Sequence, residues 1–322
     1  MRIFALGSGK TMYRNGKMYI VFLAFVILLS IALSACGSSS DGNAESSESS
    51  ANSESGANLG DKDITIPYVS WAGCVAGTNV IKTALEDVGY DVTIKQVGKG
   101  AMFTSIAEKD ADAMMCTWLP NNAIHLWDKY KDDLVKLNKT IETAPIGLYV
   151  PTYMDVDSIG DLKGNEKVGN GADWTITGND PGSGNVELSK RALKKYGLDK
   201  WEVQTSSDSA MVATLGKMVE QQKPVITTLW KPHYAFGKYD LKMLKDPKNV
   251  YGDPDSIWTV SREGLKEDSP AAYKILKQFD WTYDEMNEVM VNIRNGTDPE
   301  EAGKEFVKDH PELVEEWKKG VE

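Results

Sequence analysis

Residues 64–89 read ITIPYVSWAGCVAGTNVIKTALEDVG, and this stretch decides the fold class of the chain. Its first part is extended and apolar, which predicts a strand over 64–71. Apolar residues then recur with three-to-four spacing over 80–88 and stop at Gly89, which predicts a helix over 75–88. The stretch is therefore one β-α unit.

The same alternation continues along the chain. Further strands are predicted at 90–97, 111–118, 146–150, 174–177, 201–205 and 225–230. Helices are predicted between and after them, at 101–109, 121–131, 158–162, 185–196, 210–220, 271–278, 284–294, 300–308 and 311–318. This order is typical of a doubly wound α/β fold with parallel sheets.

Two sets of β-α units of comparable size predict two lobes. We expect the first lobe to comprise 62–150 plus 246–322, with the C-terminal helices packed back on it, and the second to comprise 151–245. The chain then crosses between the lobes near 146–153 and 240–250, which predicts a hinged architecture with a cleft between the lobes.

The N-terminal region predicts export. Four basic residues precede an uncharged run over 18–32, which ends in Leu-Ser-Ala-Cys36. This order of basic, apolar and small residues is typical of a secretory signal, and the small residues before Cys36 resemble the lipobox of bacterial lipoproteins. We therefore expect a signal peptide over 1–35 and lipidation of Cys36. The alternative is a membrane-spanning helix, but the run is shorter than the roughly 20 residues that a span needs. Translation could also begin at Met12 or Met18.

Residues 36–61 predict a tether. They are rich in Ser, Gly, Asn and Glu and contain no aromatic residue, so they cannot build a core. The expected location is thus extracytoplasmic, with the folded body anchored to the cell membrane through lipid. The formal net charge of -11 argues against nucleic acid as a partner.

The cysteine count predicts a disulfide. If lipid modifies Cys36, the remaining pair is Cys74 and Cys116, and an oxidising compartment favours their pairing. Such a bond would join the segments that carry Trp71 and Trp118. The alternative is two buried free thiols.

Three tryptophans stand where an extended apolar run gives way to a turn or a helix start: Trp71, Trp118 and Trp230. Ligands of α/β domains bind at the carboxyl ends of strands, and the indole face attracts cations. Converging indoles would suit a quaternary ammonium group. The alternative is that these residues serve ordinary packing.

A glycine-rich turn provides a complementary feature. Residues 180–185 read DPGSGN directly before a predicted helix, so backbone N–H groups at the helix start could bind a carboxylate or phosphate. Taken alone, such a turn is more often a helix cap. A cation-binding cage and an anion-binding turn in one cleft would together select a small zwitterion.

These motifs resemble one family. The quoted segments are YVSW ending at Trp71, WLP at 118–120, DPGSG at 180–184, WKPH at 230–233 and LKDPK at 244–248. In this order they are similar to the glycine betaine-binding lipoproteins of osmoprotectant ABC importers, over about 64–317.

The resemblance implies a periplasmic-binding-protein-like fold of type II, with two lobes and a ligand cleft between them. It implies a solute receptor that delivers glycine betaine to an ABC permease and its ATPase, with no cofactor and no metal. It assigns Trp71, Trp118 and Trp230 to the cage around the trimethylammonium group. It assigns the backbone amides of Gly184 and Asn185 to the carboxylate.

The chain departs from the family pattern after Trp118. The pattern Trp-Leu-Pro-x-Thr-His would place threonine at Asn122 and a carboxylate-binding histidine at Ala123. Asn121 or Asn122 could donate a hydrogen bond instead. Asn185 also stands where an apolar residue is common, and its side chain could join the site. The ligand could therefore be carnitine, proline betaine, dimethylsulfoniopropionate or choline instead of glycine betaine.

Two other classes of protein are disfavoured. A secreted enzyme acting on choline-like substrates would need a nucleophile, a base or a metal site. The three histidines, His125, His233 and His310, stand in no recognisable spacing for such chemistry. A structural or adhesive lipoprotein would have no small-molecule site at all. We therefore predict a binding protein and not an enzyme.

Overall fold

A computed structural model describes residues 58–321. The predicted signal peptide, Cys36 and the tether up to residue 57 lie outside the described residues. Within 58–321, none of the helices combines the length and the apolar character that a membrane crossing requires.

The described chain alternates strands and helices as predicted from the sequence. The strands are β1 Asp63–Tyr68, β2 Asp91–Gln96, β3 Ala113–Leu119, β4 Leu134–Ala144, β5 Ile146–Pro151, β6 Thr175–Gly178, β7 Glu202–Thr205, β8 Ile226–Trp230, β9 Leu241–Met243 and β10 Asp255–Arg262. The helices are α1 Ala72–Glu86, α2 Lys99–Ala107, α3 Ile124–Tyr130, α4 Glu166–Gly171, α5 Gly184–Tyr196, α6 Asp208–Glu220, α7 Ala235–Lys238, α8 Leu265–Asp268, α9 Pro270–Gln278, α10 Tyr283–Arg294, α11 Pro299–Asp309 and α12 Pro311–Lys318. A short 3-10 helix spans Ile159–Leu162.

The strands form three sheets, and the expectation of purely parallel sheets is wrong. Strands β1 and β2 pair in parallel. Strand β10 lies between β3 and β4 and is antiparallel to both. The five-stranded sheet has the order β7-β6-β8-β5-β9, in which β6 is parallel to β7 and β8, while β5 is antiparallel to β8 and β9. The fold is a mixed α/β architecture.

Strand β5 moves the predicted lobe boundary. We expected residues 146–150 in the first lobe, with the second lobe starting at residue 151. Ile146 instead pairs with Trp230, so β5 lies in the sheet of the second lobe. Strand β10 begins at Asp255 and pairs with first-lobe strands, so the return crossing lies before it. We propose crossings near 144–146 and 252–255.

Helix α1 is the central helix of the first lobe. It begins directly after Trp71, whose extended backbone forms the N-cap, and nearly all of it is buried. Helices α10 and α11 pack against it, as expected for a C-terminal region that folds back on this lobe. Near the chain end, the Trp317 ring packs on Phe279 with centroids 4.8 Å apart. This core holds the start of α1, and therefore Trp71, in a fixed position.

A disulfide joins α1 to β3 through Cys74 and Cys116, whose Cα atoms are 5.4 Å apart. Cys74 lies three residues after Trp71, and Cys116 lies two residues before Trp118. The bond therefore connects the two tryptophan-bearing segments of the first lobe.

Candidate functional site

The three tryptophans come together across the cleft. The Trp230 ring centroid lies 6.1 Å from that of Trp71 and 6.4 Å from that of Trp118. All three side chains are buried, at 4–5% exposure. Because cation–π attraction acts within about 6 Å of a ring centroid, indoles that lie this close together can act on a shared cation.

Each indole is held by its place in the fold. Trp71 follows β1 and begins α1, Trp118 lies in the fully buried β3, and Trp230 ends β8. The indole N–H of Trp71 donates to Asp180 Oδ2 at 2.8 Å. Asp180 belongs to the glycine-rich turn of the second lobe, so this hydrogen bond crosses the cleft.

A second contact across the cleft centres on Asp208 in the first turn of α6. The backbone N–H of Ala72 donates to Asp208 Oδ2 at 2.9 Å. His233 Nε2 lies 3.0 Å from Asp208 Oδ1, while its Nδ1 accepts from the backbone N–H of Ala235. Since Nδ1 accepts, Nε2 carries the proton and donates to Asp208. The His233 ring also meets Trp230 edge to face at 5.0 Å, so it supports the cage from behind.

The glycine-rich turn approaches the first lobe at Gly184. The backbone N–H of Gly184 donates to Asn122 Oδ1 at 3.3 Å. A Cβ added to Gly184 would lie 2.6 Å from both Cα and C of Asn122, so only glycine permits this approach. The first N–H groups of α5 have no acceptor within the helix, and that of Gly184 is engaged by Asn122.

The asparagine side chains differ from the expected donors. Asn121 Nδ2 donates to the backbone oxygen of Asp253 and to Asp255 Oδ1. Asn122 presents its amide oxygen to Gly184, so here it accepts. Asn185 is fully buried and donates through Nδ2 to the backbone oxygen of Leu229.

Asp255 fixes the loop that follows Trp118. Its carboxylate accepts from the backbone N–H of Asn121 at 2.5 Å and from that of Asn122 at 2.9 Å. Burial raises the pKa of Asp255, and these donors partly oppose the shift. The loop therefore holds Asn122 facing Gly184.

Lys99, at the start of α2, completes this end of the site. Its Nζ donates to the backbone oxygen of Asn122 at 3.0 Å and to Asn122 Oδ1 at 3.3 Å. Burial lowers the pKa of Lys99 to about 8, although the negative charges of Asp255 and Glu187 oppose the shift. A cavity of about 460 Å³ lies beside it, lined among others by Ala123, His125, Gly184 and Arg191.

Sequence patterns identified the tryptophans and the glycine-rich turn, but they missed Lys99, Asp208 and the role of Asp180 as the partner of Trp71. Asp208 looks like an ordinary acidic residue in a first helical turn, and Lys99 like a surface lysine. Their tertiary contacts distinguish such residues, and the periodicity of the sequence does not encode those contacts. Among residues 58–321, no cluster of three or more His, Cys, Asp or Glu side chains is arranged to hold a metal ion.

Comparisons with known proteins agree with this geometry. A family model described as the substrate binding domain of ABC-type glycine betaine transport system matches residues 62–309. The glycine betaine/carnitine transport binding protein GbuC of Listeria monocytogenes serotype 1/2a (strain 10403S) is 42% identical over 189 residues. That match spans 58% of this chain and 63% of the length of the relative.

Solved structures agree over more of the chain. Lactococcal OpuAC, in its closed-liganded conformation with glycine betaine, has a TM-score of 0.76 and is 39% identical, covering 80% of this chain and 100% of its own. The glycine/betaine/L-proline-binding protein ProX of Borrelia burgdorferi has a TM-score of 0.77 and is 32% identical, covering 80% of this chain and 97% of its own.

Proposed function

The chain belongs to the family of substrate-binding domains of ABC-type glycine betaine transport systems, and we propose that it is the extracytoplasmic receptor that captures glycine betaine for such an importer. The observation that carries this proposal is the meeting of Trp71, Trp118 and Trp230 from two lobes. The trimethylammonium group lies among these indoles. Three desolvated cation–π contacts of about 2 kcal/mol each would supply most of the roughly 8 kcal/mol of a micromolar complex.

The carboxylate of the ligand lies at the start of α5. The backbone N–H groups of Gly184 and Asn185 donate to it, and the positive end of the helix dipole favours its charge. Asn122 lies next to this position and contributes its polar side chain to the site. The cage and the helix start together accept a zwitterion.

Lobe closure links capture to delivery. The open lobes admit the solute, and closure forms the contacts of Asp180 with Trp71 and of Asp208 with Ala72. The closed form then docks on the permease, whose ATPase drives import. Lipid on Cys36 and the tether keep the receptor at the membrane, where it supports osmoprotection.

Titration of the purified protein tests the proposal. Glycine betaine, carnitine, proline betaine, dimethylsulfoniopropionate and choline are added in turn, with calorimetric heat and tryptophan fluorescence as readouts. Saturable binding of glycine betaine supports the proposal. If only another of these solutes binds tightly, that solute is the ligand and not glycine betaine. Binding of none of the five would refute the receptor function.

The recovered ligand separates a receptor from an enzyme. A receptor returns every solute chemically unchanged after prolonged incubation, and mass spectrometry of the solutes checks this. Conversion of choline or of a betaine to a product would overturn the assignment as a binding protein.

A further inference from the structure

The amide oxygen of Asn122 occupies a particular position in the cleft. It lies 3.3 Å from the backbone nitrogen of Gly184 and 3.3 Å from the ammonium nitrogen of Lys99. Both groups donate to it, one from each lobe. An oxygen atom at this point therefore receives a helix-start N–H and a full positive charge at once.

A carboxylate oxygen would satisfy these donors better than a neutral amide oxygen. Hydrogen bonds between ionised partners are shorter and about twice as strong as neutral ones. Because Lys99 is half-buried, its attraction for an anion is less screened than that of a fully exposed lysine. An anionic ligand group thus has a reason to displace the Asn122 side chain, which can rotate toward the adjoining cavity of about 460 Å³.

Three neighbouring side chains do not compete with Lys99 for this role. Ala123, which lines the same cavity, has no polar side chain. The Asn185 amide donates to the backbone oxygen of Leu229 instead. Asp255 is engaged by the backbone of the loop after Trp118, so it does not form a direct ion pair with Lys99 that a ligand would have to break.

We propose that Lys99 is a specificity-determining residue of this site, and that its ammonium group pairs with the ligand carboxylate that the amide of Gly184 also binds. This inference rests on the proposed function. It restricts the substrate class to quaternary ammonium solutes that carry a carboxylate. Choline fills the cage but gives Lys99 no partner, so choline binds more weakly than glycine betaine.

The charge of Lys99 makes the preference depend on pH. Its pKa of about 8 means that it is mostly protonated at pH 7 and loses its charge as the pH rises through that value. Asp255, Glu187, Arg191 and His125 are the other titratable groups around it. Affinity for glycine betaine should therefore fall as the pH rises from 7 to 9, while affinity for choline should change little.

Substitution of Lys99 tests the proposal by calorimetry with glycine betaine and choline. Lys99→Met should lose about tenfold or more in glycine betaine affinity, since a charged hydrogen bond is lost, and should keep its choline affinity. Lys99→Arg keeps the charge and should retain the preference for glycine betaine over choline. Lys95→Met, at an exposed position of β2, controls for net charge and should bind as the wild type does.

The two ligands separate this inference from the proposed function. Equal binding of glycine betaine and choline by the wild type, or unchanged glycine betaine affinity in Lys99→Met, would overturn the role of Lys99 and leave the receptor function standing. Loss of both ligands in Lys99→Met would also overturn it, because the lysine would then support the whole site. Failure of the wild type to bind either ligand would refute the receptor function itself.

Discussion

Gly184→Ala is the sharpest test of how the site closes. A Cβ at this position would lie 2.6 Å from Cα and C of Asn122, whereas ordinary contact begins near 3.4 Å. The obstacle is backbone on the opposite lobe, so no side-chain rotation relieves it. The two segments must separate by at least about 0.8 Å, the difference between these distances, and by more at the backbone oxygen of Asn122, which the Cβ would approach still more closely.

That separation removes contacts that closure forms. The bonds of Asp180 with Trp71 and of Asp208 with Ala72 would weaken, because both join the two lobes. Hydrogen bonds to charged groups contribute about 1.5–3 kcal/mol each. We therefore expect a loss of at least about 2 kcal/mol in binding free energy, or roughly 30-fold in affinity.

Calorimetry with glycine betaine measures this loss, and thermal unfolding without ligand checks the fold. Alanine at the start of α5 is compatible with the helix, so the melting temperature of the free protein should change little. Gly182→Ala is a matched control, because a Cβ there meets no atom within 4 Å. Wild-type affinity in Gly184→Ala would show that this approach of the lobes is not needed for binding.

Three further outcomes are expected. Trp118→Ala should lower ligand affinity at least tenfold while the fold survives, and Trp127→Ala, at a half-buried tryptophan of α3, is the control. Calorimetry and circular dichroism check this, and unchanged affinity in Trp118→Ala would refute the cage. Asp208→Ala should weaken ligand binding about tenfold, because it removes the carboxylate that Ala72 and His233 share, whereas the control Ser209→Ala should bind as the wild type does. Equal ligand affinities of Asp208→Ala and the wild type would exclude a role of Asp208 in closure. Thiol counting in denaturant without reductant should find Cys74 and Cys116 unreactive, and two reactive thiols would contradict the disulfide. Replacing both cysteines with serine should lower the free energy of unfolding by about 4 kcal/mol, because the disulfide closes a loop with a separation of 42 residues.

The local sequence pattern was sufficient to predict most helices and strands of the fold. The predicted helices near the C-terminus agree with α9 to α12 within one residue at each end, because Pro270, Pro299 and Pro311 begin three of them. Strands β4, β9 and β10 were missed. The partners of strand β10, which are β3 and β4, precede it by more than 100 residues. Its antiparallel insertion between them could not be inferred from neighbours in sequence.

The same limit applies to the site. Strand ends and a glycine-rich turn are local features, so the three tryptophans that the structure brings together and Gly184 could be proposed as site residues from the sequence. Lys99 could not, because its role depends on Asn122, which lies 23 residues away, and on Gly184 in the other lobe. A buried lysine and an exposed lysine have the same sequence signature until the fold places them.

Capture and closure are coupled in the proposed receptor because the same residues serve both. Trp71 is a wall of the cage, the N-cap of α1 and the donor to Asp180 of the opposite lobe. Asp208 binds the next backbone N–H of α1 and also His233, whose ring packs on Trp230. Opening the lobes therefore removes the hydrogen bond that orients Trp71 and the bond from Ala72 to Asp208. The three indoles form a complete cage only in the closed form. A solute therefore stabilises closure by the difference between its binding free energies to the closed and the open form. Solutes without a quaternary ammonium group lack this preference and leave the receptor open.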